Sequence, residues 1–472
     1  MKYFLISLFS FFSCSLFAQH QAVLIGKWHG LLDVGMMELR VDFNFKVVAD
    51  SMVVTMDSPD QKAFDIPVDE WSFSNGELIL KLPQAQIEYK GKYEKEKISG
   101  NFRQAGQSHP LELGRNEVVK TERKRSQTIK EPIPYVSEDI VFKNKKAGIE
   151  LAGTLTYPHA DKPVPAVVMI SGSGPQNRNE ELLGHQPFLI IADYLSRKGI
   201  GVLRFDDRGV GQSKGEFHSA TSYDFSTDAE SAVQYLKSRK EIDKKRIGLA
   251  GHSEGGIIAP MVAARNKDVA FIILLAGTGI RGDQLLLLQQ ELIARANGEE
   301  ESEIQKMKAI NTKCFEIIVR NTDKDKMVNE LRDTLNVLAD RDHVLDIPTG
   351  MNKNMYINQI IFSSTSTWML YFIRHDPALV LKKVKCPVFI LNGDKDLQVP
   401  AKENVSAIEA ALQSGGNKHY QSKIYPGLNH LFQHCTTGSP NEYNKIEETF
   451  SEEVMGDMVG IIFGLPQGKG NR

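Results

Sequence analysis

Gly251-His252-Ser253-Glu254-Gly255 sets a serine between two glycines, after the apolar run Arg246 to Ala250 and before the helical run Gly256 to Ala264. A serine at the tip of a strand-to-helix turn describes a nucleophile elbow, and the glycines let the backbone cross close to it. A hydroxyl is a weak nucleophile until a base removes its proton, and the base needs an acid to fix its tautomer and stabilise its cation. Downstream, Cys386 to Gly393 reads as a buried strand running into Asp394-Lys395-Asp396. Ser422 to Tyr425 reads as a last strand, running into Pro426-Gly427-Leu428-Asn429-His430. An acid at Asp394 or Asp396 and a base at His430 would thus sit on loops just past strand ends, where a sheet can aim them. His434 is a rival base four residues on.

Five segments in one chain order resemble the α/β-hydrolase superfamily, in its esterase and serine-aminopeptidase-like branch. They are the elbow, Ser171-Gly172-Ser173-Gly174-Pro175 after the apolar Ala166 to Ile170, Arg204 to Ser213, Asn392 to Asp396, and Asn429-His430. The resemblance spans roughly residues 138–465. It implies a mostly parallel sheet flanked by helices and a triad in the order Ser, Asp or Glu, His. The family pattern, Gly-x-x-Asp followed by an apolar residue and Val-Pro, selects Asp396 and leaves Asp394 to cap the turn. The family's small polar residue before the base favours His430. Oxyanion donors are implied at the backbone N–H of Glu254 and of Ser173. Gly174 is the alternative there, because the familiar His-Gly-x-Gly begins with Ser171 in this chain. His252 is expected to pack the elbow, and Glu254 to serve as a first-turn carboxylate favouring the helix N-terminus. Asp206-Asp207-Arg208 is expected to form a loop ion pair and turn on the pocket floor. No zinc-like His/Cys spacing and no phosphate loop ending in Lys-Ser/Thr occurs, and the chemistry calls for no cofactor or metal.

The chain has 472 residues, 41% hydrophobic and 25% charged, with a formal net charge of −2. That length suffices for two sizeable cores, and the charge balance argues against a nucleic-acid partner. Residues 1–18 carry Lys2, an apolar core from Phe4 to Phe12 and Ala18 before Gln19, the pattern of a cleaved export signal rather than a membrane span. A periplasmic or secreted location follows, with a lipid anchor through Cys14 as the alternative. Cys314, Cys386 and Cys435 then allow at most one disulfide.

Residues 19–115 show short alternating segments such as Met37 to Phe43 and Glu77 to Leu82, separated by turn signals. They read as an all-β barrel or sandwich, and Gly26-Lys27-Trp28-His29-Gly30 resembles a lipocalin-like opening. Residues 116–137 read as a solvated linker and 138–472 as the α/β-hydrolase domain. Within it, about 278–366 is helical in character (Asp283 to Ala296, Glu301 to Val319, Lys326 to Ala339), as a cap over the site would be. The expected activity is cleavage of a small-molecule carboxylic ester through an acyl-enzyme on Ser253. Aminopeptidase or thioesterase chemistry on the same triad, or a non-catalytic binding role, are the alternatives.

Overall fold

Strict alternation makes Glu77–Leu82 a strand with one dry face: Leu78, Leu80 and Leu82 are buried while Glu77 is exposed. In the computed structural model the described residues are 22–35, 37–49, 51–104, 107–119, 125–341, 345, 347 and 351–465. The export-signal segment, Cys14 and Lys120 to Lys124 lie outside them. The chain divides into two units, residues 1–122 with 346–357, and residues 123–345 with 358–472.

In the first unit nine described strands form one antiparallel sheet: β1 (Gly26–Asp33), β2 (Glu38–Val48), β3 (Ser51–Ser58), β4 (Ala63–Pro67), β5 (Glu70–Ser74), β6 (Glu77–Leu82), β7 (Ile87–Glu94), β8 (Lys97–Gln104) and β9 (Gln107–Gly114). Their order is β4-β3-β2-β1-β9-β8-β7-β6-β5. The sheet is a half-barrel with β4 and β5 at its edges, within the all-β unit expected for residues 19–115. The two edges are tied by the short β4–β5 connection, Val68 N–H bonding Val54 and Asp69 N–H bonding Lys81. Trp28 anchors its core, fully buried, its Nε1–H donating to the Leu24 carbonyl at 2.8 Å, with the Arg115 guanidinium over its ring.

The second unit holds an eight-stranded sheet of β10 (Tyr135–Asn144), β11 (Ile149–Pro158), β12 (Val164–Ile170), β13 (Gly201–Phe205), β14 (Ile242–His252), β15 (Phe271–Leu275), β16 (Val388–Gly393) and β17 (Tyr420–Tyr425). The order is β10-β11-β13-β12-β14-β15-β16-β17. β10, β11 and β13 pair antiparallel, and from β13 onward every pairing is parallel. This is the α/β-hydrolase fold. The central strands are apolar throughout, as strands covered on both faces must be: all seven residues of β12 and all five of β15 are buried. Helices α1 (Pro187–Arg197), α2 (Ser222–Ser238) and α3 (Gly255–Ala263) fall between strands.

Between β15 and β16 the sheet pattern gives way to α4 (Gly282–Ala296), α5 (Glu301–Arg320), α6 (Lys324–Asp340), α7 (Lys353–Ser364), α8 (Thr367–Arg374) and α9 (Pro377–Leu381). Leu285 of α4 and Phe372 of α8 bury against Ile257 and Met261 of the elbow helix α3. The unit ends with α10 (Ala401–Ser414) and α11 (Glu452–Gly464). Arg125, expected in a solvated linker, instead donates to the carbonyls of Asn444, Ile446 and Leu183. β10 likewise begins at Tyr135, inside the stretch read as linker.

Candidate active site

The elbow is built by close approach. Ser253 takes a left-handed φ of 52° between the end of β14 and the start of α3. Its N–H donates to the Leu275 carbonyl at 2.9 Å, fixing the turn against the neighbouring strand. A methyl at Gly251 would collide with the Gly255 carbonyl, and one at Gly255 with the Ile170 carbonyl. The glycines are thus needed for space, and the strained serine is held by its surroundings.

Asp396 and His430 lie on the loops that follow β16 and β17. His430 Nδ1 lies 2.8 Å from Asp396 Oδ2, with both side chains buried. The acceptor puts the imidazole proton on Nδ1 and leaves Nε2 as the nitrogen able to take a proton from a serine. Asp396 Oδ1 accepts the N–H of Gln398 and of Val399, each at 2.8 Å, which pins the carboxylate in its loop. Asp394 turns elsewhere, its Oδ1 accepting the Gly427 N–H at 2.6 Å. His434 is mostly exposed and pairs with Glu448.

Ser253 and His430 line one cavity of about 270 Å³ with Ser173, His252, Glu254 and Trp368. No hydrogen bond joins Ser253 Oγ to His430 among the described residues; such contacts often tighten only once substrate is bound. A larger cavity of about 660 Å³ lies along β17 and α11 and holds none of these side chains. Chemistry rather than size marks the site.

The loop after β12 is held at several points by buried carboxyl groups. Gly172 N–H donates to Glu180 Oε1 at 2.7 Å, so it is already committed and unavailable to an oxyanion. Ser171 Oγ and Gln176 N–H donate to Asp207 at 2.8 and 3.0 Å, which gives the serine at the usual histidine position a structural task. Burial, with the charges of Glu254 and Glu180 nearby, pushes the Asp207 carboxyl up to about 8. Ser173 lines the catalytic cavity, whereas Gly174 faces a small void beside Asp207. Asp206 pairs with Arg178 and Arg208 with Asp228, at 2.8 and 2.7 Å, and none of the four lines the cavity that holds Ser253.

Two residues beside the serine do other than expected. Glu254 makes no cap hydrogen bond to its helix. Its Oε1 accepts from Ser222 Oγ at 2.6 Å and from Trp368 Nε1 on α8 at 2.8 Å. Burial raises its pKa, and hydrogen bonding to the carboxylate opposes that rise. His252 is more than packing: its ring bonds Glu180 and the carbonyl of His430. Burial works against its cation, but Glu180, the His430 carbonyl and Asp396 together outweigh burial and raise its pKa. Among the described residues no group of three or more His, Cys, Asp or Glu side chains could hold a metal ion. No described helix is long and apolar enough to cross a membrane. Cys314, Cys386 and Cys435 are free thiols.

Strand order and the strand-to-helix turn at Ser253 give the α/β-hydrolase fold. The sequence model of the family described as "Serine aminopeptidase, S33" matches residues 186–331. Esterase EstD of Thermotoga maritima is 25% identical over 285 residues, 60% of this chain and 58% of its own length. The alignment thus spans little more than half of that relative. An uncharacterised 31.7 kDa protein of Escherichia coli is 25% identical over 233 residues, 49% of this chain and 74% of its own. Among solved structures, the esterase Pf2001 of Pyrococcus furiosus superposes with a TM-score of 0.41 at 16% identity, covering 73% of this chain and 99% of that one.

Proposed function

We propose that this protein is a serine hydrolase that cleaves carboxylic esters, with Ser253 as nucleophile, His430 as general base and Asp396 as its orienting acid. The observation that carries this reading is the buried 2.8 Å Asp396–His430 pair on the cavity that also contains the left-handed Ser253. In the proposed reaction Ser253 Oγ attacks the ester carbonyl while His430 Nε2 takes its proton. The backbone N–H groups of Glu254 and Ser173 stabilise the oxyanion. His430 then protonates the departing alcohol, leaving an acyl-Ser253 ester. Water, deprotonated by the same imidazole, releases the acid.

An ester substrate is preferred to an amino-terminal peptide on the cavity wall's own chemistry. An aminopeptidase needs a carboxylate free to bind the substrate ammonium group. The carboxylates lining the cavity are Glu180 and Glu254, and both are engaged by protein donors. The test is a substrate panel: p-nitrophenyl acetate and butyrate should be turned over, with aminoacyl p-nitroanilides at least ~100-fold slower in kcat/KM. Preferential cleavage of the anilides would overturn the ester reading. Residues 1–18 support an exported protein, and N-terminal sequencing of the mature chain, expected to begin at Gln19, tests that reading.

A further inference from the structure

His252 has a hydrogen-bond acceptor at each ring nitrogen. Nδ1 faces Glu180 Oε1 at 2.9 Å, and Nε2 faces the carbonyl oxygen of His430 at 3.0 Å. With a carboxylate on one side and a carbonyl on the other, both contacts are hydrogen bonds only when the imidazole carries both protons. The same Glu180 Oε1 takes the Gly172 N–H at 2.7 Å. Three hydrogen bonds therefore run in series from the oxyanion loop, through Glu180 and the His252 ring, to the backbone of His430. One end carries Ser173, the other carries the base, and the middle residue directly precedes Ser253. Both side chains are only 8% exposed, and the His252 and His430 ring centroids lie 4.8 Å apart.

We propose that His252 is a positioning residue whose doubly protonated ring, paired with Glu180, locks the oxyanion loop and the base loop to the nucleophile as one unit. This inference rests on the serine-hydrolase reading of the site. His252 acts through its neighbours and takes no proton from substrate. The titratable groups facing it are Glu180 from the loop after β12, His430 from the loop after β17 and Asp396 from the loop after β16. His185 and Glu254 lie on the same cavity wall.

At high pH the ring loses the proton on Nε2, which faces a neutral carbonyl, and keeps the one on Nδ1, which faces a carboxylate. The bond to His430 is then lost and the base loop is freed, giving activity an alkaline limb above the ordinary histidine range. Glu180→Gln isolates this effect. Gly172 N–H and His252 Nδ1 converge on one oxygen, so glutamine must turn its carbonyl there, which keeps both contacts and removes only the charge. His252→Phe keeps a ring in place and removes both bonds.

The test measures kcat and KM for p-nitrophenyl acetate from pH 5 to 10, and the rate of fluorophosphonate labelling, on the full chain and both variants. Near-ultraviolet circular dichroism monitors the fold. His252→Phe should lower kcat roughly 10- to 100-fold with little change in KM, the signature of misplaced catalytic groups. Glu180→Gln should show its alkaline limb at lower pH than the wild type. His252→Phe with wild-type kcat, or a Glu180→Gln profile superimposable on the wild type, overturns the proposal. Should His252→Phe fail to fold, the Glu180→Gln profile decides alone. A wild type inert to both ester and probe overturns the serine-hydrolase reading and this proposal with it, a failure recognisable because it precedes any substitution.

Discussion

Asp394 and Asp396 are two residues apart at one strand end, yet one carboxylate holds a turn and the other an imidazole. Asp396→Asn is therefore expected to lower kcat about 10³- to 10⁴-fold, because an amide no longer enforces the productive tautomer of His430. Asp394→Asn should keep kcat within a few-fold and instead lower the melting temperature by loosening the Gly427 turn; steady-state kinetics with thermal unfolding separates the two. Ser253, Asp396 and His430 are legible in the sequence because each is announced by a strand and a short loop of known order. Their supports are not. Glu180 and His252 are 72 residues apart, and Glu254 and Trp368 are 114 apart, with no spacing to link either pair. A carboxylate in a first helical turn already has a sufficient explanation in the helix dipole, so nothing local marks Glu254 as the hub of a buried network.

Strands and helices were legible to differing degrees. The central strands announce themselves as apolar runs, as the five consecutive buried residues of β15 illustrate. The first three insert helices carry helical periodicity, whereas Lys353–Ser364 lacks an amphipathic stripe and Thr367–Arg374 is short, so neither was read as an element. It is the short one that matters at the site, since its Trp368 stacks on Phe372 and reaches Glu254. Trp368→Phe keeps the stack and deletes the donor, which should cost about 1–3 kcal/mol of stability by denaturant unfolding and reduce kcat/KM. The loops after β12 and β13 are joined through Asp207. Its folded pKa of about 8 exceeds that of a free carboxyl, so the native state retains a proton that the unfolded chain has lost between about pH 4 and 8. Asp207 therefore contributes a loss of stability as pH rises through that window and no further change above it. Asp207→Asn should remove this slope, its melting temperature gaining on the wild type from pH 5 to pH 8. Parallel curves would contradict the assignment.

At the scale of the whole molecule, every residue assigned to chemistry lies in residues 123–345 and 358–472. The alternation of β1 to β9 made an all-β unit legible, but closure was not: whether nine strands join into a barrel depends on edge geometry that period-2 patterning does not encode. A chain lacking residues 20–115 should therefore turn over p-nitrophenyl acetate with kcat within a few-fold of the full chain, provided circular dichroism shows it folded. Loss of turnover in a folded truncation would give the half-barrel a part in catalysis. The central claim, that Ser253 is an activated nucleophile served by Asp396 and His430, is tested most directly by intact-mass spectrometry after treatment with a fluorophosphonate. The wild type should gain one adduct mapping to Ser253, with Ser253→Ala gaining none and Asp396→Asn reacting at least ~10³-fold more slowly. An unreactive wild type, or an adduct that persists in Ser253→Ala, would contradict the claim.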